Sequence, residues 1–203
     1  MRKIASILIM VTLLVSLTGC SVKADVAEVD KMYIQEAELT DKEKALVNMV
    51  TTDEMPYMVE FSLDDTVKSW QNNIYELEGD QWKFVSGGIR QFDETQGKIA
   101  FSFDNIGYGM RIAIENRGSN SYEDTPDFDF EGMGTSNAYL TNQKEVVYEK
   151  EIPLVIQVHT SKNNIQCILP EYGFENPKLY SEAGYEKVYA LTCLFSQKTV
   201  KEL

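Results

Sequence analysis

The chain has 203 residues and a formal net charge of −13, with 32 acidic residues against 19 basic ones. A chain this acidic repels phosphate backbones and anionic lipid headgroups, so its composition argues against nucleic acid as a partner and against membrane attachment through a basic surface. Aromatic residues make up 11% of the chain, and this content favours a packed globular domain over disorder.

The N-terminus has the order of a secretory signal, with basic residues, a short apolar run and then small residues. Arg2 and Lys3 precede the apolar run Ile4–Leu17, which has 14 residues. A helix of that length is too short to span a bilayer core about 30 Å thick. The run therefore predicts a cleaved signal over residues 1–19 rather than a permanent membrane-spanning anchor.

The stretch Leu17-Thr18-Gly19-Cys20 closes this signal and resembles the lipobox of bacterial lipoproteins. In that family the cysteine is diacylated on sulfur and the signal is cut before it, so the resemblance implies that Cys20 is lipidated and begins the mature chain. Two acyl chains hold a protein stably on a membrane. The expected location is the extracytoplasmic face of the cell membrane, through a diacylglyceryl anchor. An ordinary secretory signal that contains a cysteine is the alternative.

Residues 20–38 are polar and acidic with weak periodicity, which is typical of a tether between a lipid anchor and a domain that begins at residue 39. The end of this tether, Met32-Tyr33-Ile34, is a candidate for docking on the domain. Thr40 and Glu43 then have the spacing of a capping box. Apolar residues follow at helical spacing, so the sequence predicts a short helix over 41–50.

From residue 57 onward the apolar residues recur with a period of two. This alternation predicts β-strands with one buried face and one solvated face. The alternating segments are Tyr57–Leu63, Ile99–Phe103, Met110–Ile114, Leu154–Val158 and Tyr189–Phe195. The stretch Glu78–Gln81 predicts a hairpin turn between strands at 67–77 and 82–86.

Helices that could connect parallel strands are missing, because only 41–50 and 177–183 have a helical pattern. About eight strands at short spacing predict an all-β domain over 39–203, an antiparallel β-sandwich with one short N-terminal helix. Tyr122–Thr141 is acidic and contains glycine, and it is predicted to be a long loop. Loops of this length are usually functional or mobile.

The acidic loop is the strongest candidate for a site. Asp127–Gly132 repeats the first half of an EF-hand calcium loop, in which oxygen ligands at positions 1, 3 and 5 precede a glycine, but position 12 is Ala138 rather than a bidentate glutamate. The sequence therefore allows a looser and weak Ca²⁺ site at most. Its ligands would be Asp124, Asp127, Asp129 and Glu131. The alternative is a solvated loop whose Phe128 and Phe130 pack on the core.

The same carboxylates also allow an enzymatic interpretation. If 127–131 is extended, Asp127, Asp129 and Glu131 point to one face about 6.5–7 Å apart, which is close to the carboxylate spacing that glycosidases use. The pattern is similar to the Glu-x-Asp-x-Glu strand of β-jelly-roll glycoside hydrolases, with aspartate at the first position. That resemblance implies Glu131 as the acid/base. The chain is short for this family and has only two tryptophans to stack sugars.

Other chemistry-bearing residues have ordinary structural explanations. His159 is the only histidine, and alternation predicts that it lies on the solvated side of its strand. Cys167 and Cys193 are expected to be buried free thiols rather than a disulfide. Four aromatic residues form either a binding platform for sugar or peptide, or part of the hydrophobic core. These are Tyr57, Trp70, Tyr75 and Trp82.

The most recognisable stretches of the mature domain are Asn73-Ile74-Tyr75-Glu76-Leu77 and the segment from Tyr148 to Val158. Over 40–196 the chain resembles small lipoproteins of Gram-positive bacteria, and this resemblance supplies no catalytic residues to carry over. No cofactor is expected. The expected function is a binding or interaction module at the cell surface, with a protein or glycan as partner. A weak Ca²⁺- or glycan-binding module and a glycoside hydrolase are the alternatives.

Overall fold

The structure is a computed structural model that describes residues 31–50, 55–124, 128–166 and 168–203. The predicted signal, Cys20 and the tether up to residue 30 lie outside the described residues, as do Asp127 and Cys167. Within the described ranges, no helix is long and apolar enough to cross a membrane.

Eleven strands and three helices occupy the described residues. The strands are β1 (Tyr33–Glu36), β2 (Tyr57–Ser62), β3 (Ser69–Glu78), β4 (Gln81–Gln91), β5 (Gln96–Ser102), β6 (Gly109–Ile114), β7 (Gly118–Glu123), β8 (Gly134–Tyr139), β9 (Lys144–Glu145), β10 (Ile152–Thr160) and β11 (Lys187–Ser196). The helices are α1 (Asp41–Val50), α2 (Pro170–Glu175) and α3 (Lys178–Ala183).

The strands form two antiparallel sheets. The six-stranded sheet has the order β7-β6-β5-β2-β1-β9, and the five-stranded sheet has the order β4-β3-β11-β10-β8. This architecture confirms the predicted all-β sandwich, and the two-residue turn at Gly79 and Asp80 confirms the predicted hairpin between β3 and β4.

One hydrophobic core lies between the two sheets and takes its residues from the alternating segments. Phe61 of β2 contacts Phe92 with ring centroids 5.2 Å apart, and Phe92 contacts Phe195 of β11 at 5.9 Å, so aromatic rings connect the sheets. Trp70 of β3 is completely buried in the same cluster. Each such side chain contributes about 1.5–3 kcal/mol through burial, which explains why this core holds the sandwich together.

The outer face of the five-stranded sheet is partly covered as well. Tyr180 of α3 packs with Ile156 and Val158 of β10 in a second cluster of buried residues. Every residue of β10 is therefore buried.

The prediction that His159 lies on a solvated face is wrong. Its side chain is only 2% exposed, because the rings of Phe130 and Tyr189 lie 4.6 and 6.1 Å from it.

Gln157 is the centre of a buried hydrogen-bond network beside His159. The Gln157 Oε1 accepts a hydrogen bond of 2.7 Å from the backbone N–H of Ile106, and its Nε2 donates to Asp104 O and Asn137 Oδ1 at 3.0 Å each. The same Oε1 lies 3.0 Å from His159 Nε2. Buried polar groups need such partners, so this network lets polar side chains occupy the interior.

Four strands, β1, β7, β8 and β9, lie where the sequence predicted none. The four residues of β1 pair with β2 and β9, so the end of the predicted tether lies on the domain, as expected for the docking candidate Met32-Tyr33-Ile34. The short, polar strand β8 pairs with β10. The acidic loop is therefore shorter than the predicted Tyr122–Thr141, since only 124–133 separate β7 from β8.

The predicted helix over 41–50 is confirmed as α1, together with its capping box. Glu43 Oε2 accepts a hydrogen bond of 2.7 Å from the backbone N–H of Thr40, and Thr40 Oγ1 accepts one of 3.3 Å from the backbone N–H of Glu43. Leu46 and Met49 of this helix are exposed, so α1 lies on the surface of the domain.

The stability of the fold should fall in mild acid because of His159. Its Nε2–H donates to Gln157 Oε1, so Nδ1 accepts from the Thr135 hydroxyl. Burial lowers the pKa of His159 from 6.5 to about 4. Between pH 6.5 and pH 4, His159 is protonated in the unfolded chain but neutral in the folded chain. The contribution of His159 to the free energy of unfolding is therefore fully present above pH 6.5 and is lost as the pH falls towards 4. The loss at pH 5 should be about 2 kcal/mol.

Urea unfolding at pH 7 and pH 5, for the wild type and for His159→Gln, measures this effect. Only the difference between the two pH dependences counts, because carboxylates titrate in both proteins. A variant that loses as much stability as the wild type between these pH values would contradict the assignment.

Candidate functional site

The acidic loop does not assemble a metal site among its described residues. The Tyr122 hydroxyl donates a hydrogen bond of 2.8 Å to Asp124, and Asp129 Oδ1 accepts one of 2.8 Å from the backbone N–H of Glu131. Across the part of the chain that the structure describes, no group of three or more His, Cys, Asp or Glu side chains could hold a metal ion. The fourth predicted ligand, Asp127, lies outside that part.

The geometry required for the hydrolase interpretation is also missing from the described part of this loop. Residues 128–130 are not in a strand, and Glu131 and Gly132 form a turn. Phe130 packs against the main core, and Phe128 contacts it with ring centroids 5.0 Å apart. These two rings hold the loop against the domain.

The four aromatic residues that could have formed a binding platform are used for packing. Trp70 and Tyr57 are buried in the core between the sheets. On the outer face of the five-stranded sheet, Trp82 stacks on Phe174 with centroids 5.4 Å apart, and Tyr75 contacts the same ring at 5.6 Å. Cys193 is a free cysteine whose side chain is completely buried.

A cleft of about 260 Å³ opens between the edge strands β4 and β7, where the two sheets come together at one side of the sandwich. This inter-sheet cleft lies entirely within described residues. It has an apolar floor and a polar rim, which is the usual composition of a small-molecule site. The floor is Ile74, Met110 and Ile112, and the rim includes Asn72, Ser86, Gly88, Arg90, Asn120 and Tyr122.

Two consecutive glycines leave space for the cleft. Gly87 and Gly88 lie in the middle of β4, where glycine weakens a strand and often marks a close approach of another group. A Cβ atom on Gly88 would lie 2.9 Å from the Oδ1 atom of Asn72. Any larger residue at position 88 would therefore enter the cleft beside that amide.

Asn72 is a buried polar side chain that faces the cleft. It is only 7% exposed, and it lines the cleft with Ile74 from the same strand. No hydrogen bond joins its amide to another of the described residues. The amide atoms are not among the fully buried side-chain atoms that lack a partner in the described chain, so water can reach them, and a ligand with a matching donor or acceptor could take the place of that water.

Arg90 contributes a positive charge to the rim. Its guanidinium carbon lies 5.5 Å from the ring centre of Trp70, and with the Asn120 amide oriented to satisfy both neighbours, Arg90 Nη2 donates to it at 3.0 Å. Burial lowers the pKa of Arg90 from its ordinary value, although a guanidinium stays protonated in proteins. Arg90 forms no ion pair with any described carboxylate.

Tyr122 closes the far end of the rim. Its hydroxyl donates to Asp124, and burial is the main reason that the pKa of Tyr122 is raised. The contact between Arg90 and Asn120 joins β4 to β7 across the open side of the sandwich.

A larger opening of about 750 Å³ lies beside α1, but it does not define a site. Tyr57 is the one buried residue of its lining, and the Tyr57 hydroxyl donates a hydrogen bond of 2.9 Å to the backbone carbonyl of Leu140. The inter-sheet cleft is the better candidate because a buried polar side chain, Asn72, faces it without such a bond.

Sequence reasoning did not identify the cleft, although two signals pointed to it. Asn72 lies between Trp70 and Ile74 on the apolar face of its strand, and Gly87 and Gly88 interrupt a strand pattern. Neither signal shows that β4 and β7 meet, because that contact depends on the packing of the two sheets.

Comparison of the chain with protein-family models, with curated proteins and with solved structures finds no match.

Replacing the amide of Asn72 should stabilise the protein. Asn72→Leu replaces a polar side chain that has no hydrogen bond to the described chain by an apolar one on the inward face of β3, so the free energy of unfolding should rise, by up to about 1 kcal/mol. The matched control is Asn105→Leu, because Asn105 is equally buried but accepts a hydrogen bond of 2.8 Å from the backbone N–H of Gly107.

Urea denaturation of both variants gives the comparison. Asn105→Leu should destabilise the protein by about 1–3 kcal/mol, since it leaves the Gly107 N–H unpaired. If Asn72→Leu destabilises the protein as much as the control does, Asn72 has a structural partner and the argument for the cleft is wrong.

Proposed function

We propose that this chain is a lipid-anchored, extracytoplasmic binding protein whose β-sandwich holds a small polar molecule in the inter-sheet cleft. The amide of Asn72 is the observation that supports binding. It is more than nine-tenths buried, it lines the cleft, and it has no hydrogen bond to the described chain. A bound molecule with a matching donor or acceptor would hydrogen-bond to this amide and displace water from the cleft.

The residues of the cleft support binding rather than catalysis. Its lining contains no Asp, Glu, His, Cys or Lys, so the hydroxyls of Ser86 and Ser121 have no side-chain base within the cleft to activate them. His159 lies elsewhere, with both ring nitrogens within hydrogen-bonding distance of Thr135 and Gln157. The cleft can recognise a molecule through hydrogen bonds and charge, without chemical conversion.

The proposed location rests on the lipobox-like Leu17–Cys20. If Cys20 is the lipidated first residue, residues 20–30 are the eleven that connect the anchor to the first described residue, Lys31. Eleven residues span at most about 40 Å. The anchor would thus keep the domain close to the extracytoplasmic face of the cell membrane. There the cleft would be exposed to small molecules outside the cell.

Filling the cleft should abolish binding. In Gly88→Val the new side chain would occupy the space beside Asn72. In the control Gly134→Val, an added Cβ would have no atom closer than 3.7 Å, and position 134 is outside the cleft. Thermal melts of the detergent-purified full chain would be recorded with a panel of small organic acids, amides and monosaccharides.

At ten times its dissociation constant, a bound probe stabilises the protein by about 1.4 kcal/mol, or roughly 3–6 °C in a domain of this size. At least one class of probe should produce this shift in the wild type and in Gly134→Val, but not in Gly88→Val. The proposal is wrong if no probe shifts the wild type, or if Gly88→Val responds equally.

Lipidation at Cys20 is a separate prediction. Cys20→Ala removes the sulfur that would carry the diacylglyceryl group, so the variant should not incorporate labelled fatty acid and should leave the membrane fraction. Metabolic labelling followed by fractionation measures both. Labelling of the variant at the wild-type level would show that the anchor, if there is one, lies elsewhere.

A further inference from the structure

We infer that the ligand of the inter-sheet cleft is a small organic acid, whose carboxylate pairs with Arg90 and whose neutral polar group binds the amide of Asn72. This inference rests on the proposed function and adds the charge, the size and the polar groups of the ligand.

The charge follows from the surroundings of Arg90. The chain has 32 acidic residues, and the exposed Arg117 forms ion pairs with two of them, Asp93 and Glu94. Arg90 is more deeply placed, yet the described residues give it only an aromatic ring and one amide. A partly desolvated cation is stabilised most by an anion, and in the cleft that anion has to come from the ligand.

A carboxylate fits this position better than a phosphate does. A guanidinium presents a planar pair of N–H donors that matches the two oxygens of a carboxylate. The lining of the cleft contains a single cation, Arg90, and the net charge of the chain is −13. A group with one negative charge is balanced by Arg90 alone, whereas a doubly charged phosphate would be repelled by the rest of the protein.

The second group of the ligand should be neutral. The Asn72 amide offers two N–H donors and a carbonyl acceptor, so it can bind a hydroxyl or an acylated nitrogen. No carboxylate lines the cleft, so a ligand ammonium would be desolvated without a counter-charge. The cleft should therefore reject free amino acids and accept hydroxy acids or N-acylated acids.

The size and the floor of the cleft complete the description. A volume of about 260 Å³ is below the range of drug-sized sites, so the ligand is smaller than a drug molecule. Ile74, Met110 and Ile112 form the floor. They would contact a compact apolar body that lies between the carboxylate and the neutral polar group.

The test uses three probes that differ by one feature each, measured by isothermal titration on the detergent-purified full chain. N-acetyl-L-leucine carries a carboxylate, an amide and an apolar body. N-acetyl-L-leucinamide lacks the negative charge, and L-leucine replaces the amide by an ammonium. The acid should bind at least about tenfold more tightly than either of the others, the size of one charge-assisted hydrogen bond.

Variants assign this preference to residues. Arg90→Gln should remove the preference for the acid over the leucinamide, and Arg90→Lys should restore it only in part, because lysine lacks the planar pair of donors. Arg111→Gln is the matched control: Arg111 is exposed on β6 and lies outside the cleft. This control should bind all three probes as the wild type does.

The outcomes separate this inference from the proposed function. In one outcome, N-acetyl-L-leucine and N-acetyl-L-leucinamide bind the wild type with equal affinity, and neither binds Gly88→Val. The cleft then binds a neutral ligand, so the inference is wrong while the proposed function holds. If neither N-acetyl probe binds but a monosaccharide from the panel does so in a Gly88-dependent way, the conclusion is the same. If no probe binds, both proposals are wrong.

Discussion

The hydrophobic core between the two antiparallel sheets is the constraint on which the rest of the structure depends. Apolar residues at alternate positions point inward from both sheets, and any polar group among them must find a partner or lower the stability of the fold. Gln157 meets this requirement completely, because each of its side-chain polar atoms has two partners. Asn72, on the same inward side of the sandwich, does not meet it within the described chain.

The difference between these two residues follows from where the sandwich is closed. Around Gln157 the backbone of residues 104–106 and the side chains of neighbouring strands supply partners. Asn72 is paired with Gly88 of the neighbouring strand β4. Glycine has no side chain that could bind the Asn72 amide. Proteins keep such locally unfavourable arrangements mainly at functional sites. Under the proposed function, the amide of Asn72 and the guanidinium of Arg90 would bind two groups of one ligand.

Much of the fold could be predicted from the sequence, because period-two alternation reports directly which face of a strand is buried. The capping box of α1 and the hairpin between β3 and β4 depend on residues close in sequence, and they too were predictable. The strands β1 and β9 were missed because so few residues carry too little pattern. The strands β7 and β8 were missed because their residues are mostly polar. His159 was misplaced because alternation assumes one solvated face, whereas β10 is buried on both.

The candidate site was much less predictable. The acidic residues of 124–131 are clustered in sequence, and they predicted a site there. Their described side chains instead accept hydrogen bonds from nearby groups or are exposed to solvent. Asn72, Gly88 and Arg90 come from a hairpin, and Asn120 comes from the other sheet. Only the packing of β4 against β7 brings them to one cleft. A polar residue within an apolar stripe, opposite glycines in the paired strand, was the available signal.

A crystal structure of the protein with N-acetyl-L-leucine bound would test the central claim most directly, because it shows the partner of every polar atom in the cleft. We expect the carboxylate about 2.7–2.9 Å from the guanidinium of Arg90, the acetamide group hydrogen-bonded to Asn72, and the apolar body in contact with Ile74 and Met110. A structure in which the Asn72 amide binds another residue of the chain, with the cleft closed and the probe elsewhere, would contradict it.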